Sequence, residues 1–176
     1  MDADRKMGIT VEMKNGEKMD GEQFVIGMAA SELSYIKEEE ALKAWMIVCR
    51  TNFVKAASSE NSSKNAAATQ NEGNVADVAN IGIKKNIKQK NLNLDYVSMK
   101  ELEENNGRKA YLEIKKKLED ASDATFGQVL TYENKYADAL YHEVSIGKTV
   151  SSEEIYSVAV PYLISVDSSQ DVESPD

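Results

Sequence analysis

The chain has 176 residues, a length that fits one domain and allows a sizeable buried core. Its formal net charge of -9 argues against a nucleic-acid partner, which calls for a basic face, and against holding an acidic polymer by charge alone. A single cysteine excludes an internal disulfide and a cysteine-based metal cluster.

Residues 8–13 (Gly-Ile-Thr-Val-Glu-Met) alternate enough to form a strand, and Lys14-Asn15-Gly16-Glu17 has hairpin-turn chemistry. Residues 18–20 are placed to pair back, after which Asp20 caps a helix starting near Gly21. That helix contains Phe24-Val25-Ile26-Gly27-Met28-Ala29-Ala30, apolar with small residues, as expected of a helix packed closely on its neighbours. It leads into one carboxylate, Glu32. Residues 34–37 join it to a second helix over about 37–57. There Leu42, Trp45, Met46, Cys49 and Phe53 recur at helical spacing and make an apolar stripe, with Val48 at its edge. Lys43, Arg50 and Lys55 fall off the stripe. Glu38, Glu39 and Glu40 crowd the first turn, where they suit the positive end of the helix dipole. Cys49 lies on the stripe and reads as a buried packing thiol.

From 58 to 91 the character changes to Ser, Asn, Ala, Lys and Gln, with sparse apolar residues. Residues 58–74 read as a long polar loop, and 75–90 as a weak helix or irregular segment. Lys84, Lys85, Lys88 and Lys90 are either a solvated face or a basic patch for an anionic polymer. Ser98 then caps a short helix through Asn105, with Glu101 completing a capping box, and Asn106-Gly107 ends it. Residues 108–124 form a well-patterned helix, with Tyr111, Ile114, Leu118 and Ala121 on one side and Lys115, Lys116 and Lys117 on the other. Strand signals follow at 128–132 and 136–144 around a Glu133-Asn134 turn, and again at 162–166. Residues 167–176 read as a polar tail. No apolar run approaches the length that spans a bilayer, and no signal peptide opens the chain. The fold expected is α+β: a central helix pair packed on a small, mostly antiparallel sheet, in a single domain over 1–176 with a polar loop at 58–91.

Two residues stand out for chemistry. Glu32 either ends a helix and points into water, or sits in a partly apolar pocket, where a carboxyl keeps its proton and serves as a general acid. Periodicity does not decide between these. The one histidine, His142, lies beside Tyr141 and ahead of a Ser/Gly/Lys/Thr-rich turn, and is either a hydrogen-bonded structural residue or part of a site.

The run Glu22-Gln23-Phe24-Val25-Ile26-Gly27-Met28-Ala29-Ala30-Ser31-Glu32-Leu33 resembles the opening motif of the stage II sporulation protein D family, E-E-Y-V-x-G-x-x-A-A-E-M. Glu40-Ala41-Leu42-Lys43-Ala44, followed by Arg50-Thr51, is similar to the family's next motif. Gly127 to Tyr132, Tyr141-His142, Ser145, Gly147-Lys148-Thr149, Ser151 to Glu154 and Pro161-Tyr162-Leu163 follow the later pattern in order. Four separated motifs in the right order are more specific than any one. The resemblance implies a lytic transglycosylase that cleaves peptidoglycan glycan strands, with Glu32 as catalytic acid and then base. It implies that Lys43, Arg50, Tyr141, His142, Ser145 and Lys148 bind sugar or stabilise charge. The dull alternative for Lys43 and Arg50 is a salt bridge to nearby glutamates. A weakly active or inactive wall-glycan-binding module remains the alternative function, and a structural interaction domain with Glu32 as a surface helix terminus is a third.

The chain departs from the family pattern at three places. Glu143 and Ile146 replace a Ser and a Gly in the histidine loop, and Ile146 disfavours the positive-φ backbone that Gly allows. Trp45 and Met46 replace Gln and Ala, altering a cleft wall or filling the core. Some relatives hold zinc with cysteines in the middle segment, whereas 58–91 has neither Cys nor His, so no metal and no cofactor is expected. The resemblance further implies an export signal or membrane anchor, an extracytoplasmic location and a partner amidase that strips stem peptides. By that reading this chain is the soluble portion of a longer protein, with 1–6 a remnant, and the domain continues past its end.

Overall fold

The computed structural model describes residues 6–32, 38–62, 86–142 and 145–173. The chain divides into two compact units, Met1–Ala139 and Leu140–Asp176. The architecture is α+β, as the sequence patterns predict.

In unit 1 the expected hairpin forms: β1 (Thr10–Glu12) pairs antiparallel with β2 (Lys18–Asp20), with Val11 opposite Met19. Asp20 then does two jobs. One carboxylate oxygen caps α1 (Gly21–Ala30) by accepting the Glu22 amide at 2.9 Å, and the same oxygen accepts the Met7 amide at 3.0 Å. Helix α1 is buried almost all round, which explains why Phe24 to Ala30 is apolar or small throughout. Gly27 is there because the Tyr96 ring lies over it: a Cβ at this position would stand 2.2 Å from a ring carbon. Tyr96 in turn stacks on Phe24, with ring centroids 4.9 Å apart.

Helix α2 (Glu39–Ser62) runs several residues past the expected end, so the first part of the expected polar loop is helical. Its stripe packs as the pattern implies. Leu42, Trp45, Met46, Cys49 and Phe53 are all buried, so Trp45 and Met46 fill the core. Burial drives the Cys49 thiol well above its usual pKa; Arg50 opposes this and the charge of Glu32 adds to it. The thiol is a packing group.

At the far end of the expected irregular segment there is a third strand. β3 (Asn86–Lys88) pairs parallel with β1, Ile87 against Val11, giving the order β2-β1-β3. A 3-10 turn follows at Gln89–Asn91. Lys88 and Lys90 sit on these two short elements, whereas Lys84 and Lys85 lie outside the described residues. Helix α3 (Met99–Ala124) contains both expected helices, capped by Ser98, whose hydroxyl accepts the Glu101 amide at 3.1 Å. The expected break is at Gly107, with φ 76° and ψ 158°. Beyond it Tyr111, Leu118 and Ala121 face the core.

The strand signals after α3 overstate the sheet. β4 (Thr131–Tyr132) and β5 (Lys135–Tyr136) form a minimal hairpin, turned by Glu133 and Asn134 at φ 49° and 60°. Ala137 and Ala139 are buried while Asp138 and Leu140 are exposed, so the alternation at 136–140 is real. Its partners are different from a strand: Ala137 N–H donates to the Leu130 carbonyl, and the Asn52 amide of α2 donates to the Ala139 carbonyl at 3.1 Å.

In unit 2, α4 (Ser152–Tyr156) is capped by Ser151, and α5 (Gln170–Glu173) replaces part of the expected tail. The expected strand at 162–166 contributes backbone bonds, Thr149 N–H to the Val166 carbonyl and Ser152 N–H to the Leu163 carbonyl, each at 2.9 Å, without becoming a ladder. Among the described residues no helix is long and apolar enough to cross a membrane.

Candidate functional site

Glu32 follows α1 by one turn residue and is half-buried. Its placement is set from both sides of that turn. Ser31 closes the helix, its amide and its hydroxyl both bonding the Met28 carbonyl, at 3.1 and 2.7 Å. From α2 the Trp45 indole N–H donates to the Ala29 carbonyl at 3.2 Å. Two of the carbonyls that a helix end leaves open are thereby occupied, and the backbone that presents Glu32 is pinned to α2. Residues 33–37 lie outside the described ones.

Lys43 and Arg50 do not share a surface. The Lys43 ammonium bonds Glu39 at 2.7 Å and Glu40 at 2.8 Å on the outside of α2, and these partners hold its pKa above the usual lysine value. Arg50 points inward and is 0 % exposed. Its Nε and Nη2 form a fork on the Glu22 carboxylate, at 3.0 and 2.5 Å. Nη2 also reaches the Thr125 hydroxyl at 3.3 Å, while Nη1 donates to the carbonyls of Thr125 (2.8 Å) and Gln128 (3.1 Å). All five guanidinium N–H groups are therefore used. Glu22, 1 % exposed at the start of α1, also accepts the Ser122 hydroxyl at 2.6 Å. The positive end of the α1 dipole adds to its stabilisation. The sugar contact expected of Arg50 is thus corrected: its charge is spent inside the unit, joining α1, α2 and the end of α3. Thr51 extends the junction by accepting the Leu130 amide at 2.9 Å.

A family model described as stage II sporulation protein (SpoIID) matches residues 10–132. The chain belongs to the stage II sporulation protein D family. Stage II sporulation protein D of Bacillus amyloliquefaciens is 32% identical over 154 residues, which cover 88% of this chain and 40% of the relative. The same protein of Bacillus subtilis (strain 168) is 33% identical over 154 residues, with the same coverage. The chain spans about 40% of the length of these curated relatives. The sporulation-family match takes in Glu22, Glu32, Lys43 and Arg50 and ends at Tyr132.

Tyr141, His142, Ser145 and Lys148 belong to unit 2. Tyr141 and His142 are exposed, the His142 side chain by 51 %. The Ser145 amide donates to the Asp171 carboxylate at 3.0 Å, its hydroxyl lies 2.5 Å from that of Ser168, and it accepts the Gly147 amide at 3.1 Å. Lys148 is exposed, with its backbone bridged to Asp167. The positive-φ backbone that Ile146 disfavours is not asked of it. The positive φ, 96°, falls on Gly147, and Ile146 adopts an ordinary backbone with its side chain 96 % exposed. The bonds from the Ser145 hydroxyl and amide, with a smaller contribution from the His142 charge, hold the Asp171 carboxyl below its usual pKa.

Sequence reasoning passed over Glu22, Ser122, Thr125 and Asp171. A signal existed for the first: a carboxylate in the first turn of a helix with no polar face has to find a buried cation. Ser122 and Thr125 gave none, since small hydroxyl residues near a helix end are common.

Proposed function

We propose that this chain carries the glycan-cleaving centre of a lytic transglycosylase acting on peptidoglycan strands in sporulation. Glu32 is its acid and then its base. The observation that carries the reading is the presentation of Glu32: a half-buried carboxylate at the family-motif position, on the turn just after α1, whose last residues are tied to α2 through Trp45.

The chemistry needs one such group. As acid, the Glu32 carboxyl protonates the glycosidic oxygen while the C1–O bond breaks, and charge builds at C1 as an oxocarbenium-like state. As base, the resulting carboxylate takes the proton from the sugar's own 6-hydroxyl as that oxygen bonds C1. A 1,6-anhydro ring closes and no water is consumed. A hydrolysing glycosidase would need a second carboxylate for the water or the nucleophile. Tyr141, His142, Ser145 and Lys148, in unit 2, are proposed to bind sugar. Arg50 acts from within the core, by fixing α1 against α2, and Lys43 remains a surface ion pair. Denuded strands are the proposed substrate, a stem-peptide amidase the proposed partner, and the outer face of a membrane the proposed location.

Digestion of denuded glycan strands with the full chain tests this. Mass spectrometry is expected to find 1,6-anhydro ends with the native protein and at least a hundredfold fewer with Glu32→Gln, since removal of an acid–base group typically costs about 10²–10⁴ in rate. Reducing ends without anhydro sugar, or equal product from Glu32→Gln, would overturn it. Retention of strands without any product would identify a glycan-binding module.

A further inference from the structure

Asp171 lies on α5, in the stretch whose sequence reads as a polar tail, and it touches two residues of the histidine loop at once. Its Oδ2 accepts the Ser145 amide at 3.0 Å and stands 4.0 Å from Nε2 of His142. Ser168, one turn earlier, adds a second tie through its hydroxyl, 2.5 Å from that of Ser145. The backbone closes the same arrangement: Ser168 N–H donates to the Gly147 carbonyl at 3.0 Å, and Asp171 N–H to the Ser168 carbonyl at 2.9 Å. All of these groups belong to unit 2.

We propose that Asp171 is a positioning residue of the histidine loop, its carboxylate fixing Ser145 and the ring of His142 in the orientation in which they bind sugar. The catalytic consequence rests on the transglycosylase reading; the geometry does not. An imidazole on an exposed loop can turn about its side-chain bonds, and a carboxylate beside one nitrogen selects the orientation that presents N–H to it. The bond from the Ser145 amide is charge-assisted, roughly twice as strong as a neutral one. Exchange of Asp171 for Asn keeps the shape and removes the charge that both contacts use.

The test compares the native chain with Asp171→Asn and Asp171→Glu, by two independent readouts. Since the chain has one histidine and one tryptophan, the His142 ring and the Trp45 indole give single NMR signals. In Asp171→Asn the His142 ring and Ser145 amide signals are expected to move, with the Trp45 signal unchanged as the control for folding of unit 1. On denuded strands kcat is expected to fall roughly tenfold or more with KM nearly constant, as for a misplaced contact group. Asp171→Glu, which keeps the charge, is expected to lie nearer the native kcat; equal loss in both variants overturns the role of the charge. Unmoved His142 and Ser145 signals overturn the positioning itself, and so does an unchanged kcat in Asp171→Asn. Should the native chain release no anhydro ends, the transglycosylase reading fails on its own, and the NMR comparison alone decides whether Asp171 sets the loop.

Discussion

The two units hold their chains in place by different means. Unit 1 encloses Phe24, Met46, Phe53 and Leu118 and ties its three long helices through one ionic cluster at Arg50. Unit 2 leaves Leu140, Ile155, Tyr156, Val158, Ile164 and Val172 exposed, and its order comes from Ser, Thr and Asp side chains bonded to backbone. The lesson is that a polar contact weighs according to where it sits. Inside unit 1 a lost partner leaves charge in a dry interior, whereas in unit 2 water replaces it.

The largest expected effect is at the ionic cluster. Arg50→Met leaves the buried Glu22 carboxylate without its cation, with the Ser122 hydroxyl as its remaining bond, and is expected to lower unfolding free energy by roughly 3–5 kcal/mol. Urea denaturation followed by Trp45 fluorescence measures it, and a loss below about 1 kcal/mol would put this cluster on a par with an ordinary hydrogen bond. Gly27→Ala comes next. Overpacking against Tyr96 costs roughly 1–3 kcal/mol, the gain in helix propensity returns about 1 kcal/mol, and a net loss is expected. A Gly27→Ala/Tyr96→Leu pair should recover most of it if the ring is the cause. The smallest effect belongs to unit 2. Ser168→Ala removes one hydroxyl contact worth about 0.5–1.5 kcal/mol. It is expected to speed amide hydrogen exchange at Gly147 and Ser168 several-fold while leaving the Trp45 transition in place. A shift of that transition as large as for Gly27→Ala would erase the contrast.

Much of unit 1 was legible because its signals are local. Asp20, Ser98 and Gly107 act within a few residues of where they stand, so a cap or a break can be read directly. Strand β3 was hidden: Ile87 is its one buried residue, flanked by exposed Asn86 and Lys88, and the strand it joins lies far back in the sequence. The strand expected at 136–144 misled for the opposite reason: at 136–140 the alternation marks burial on one side and says nothing of whether a strand or a side chain such as Asn52 satisfies the backbone. Arg50 falls off the apolar stripe and reads as exposed, yet α2 is buried on a second side, where Glu22 and Ser122 arrive from other helices. Of the candidate site, Glu32 and the histidine loop came from motif likeness; Asp171 had no such likeness to point to it.

The register of β1 has a consequence for the order in which unit 1 assembles. Its hairpin with β2 joins Val11 to Met19, 8 positions on, whereas its ladder with β3 joins Val11 to Ile87, 76 positions on. Nearby pairings close quickly and distant ones slowly. The hairpin is therefore expected to form early, with β3 completing the sheet only once α1 and α2 have come together.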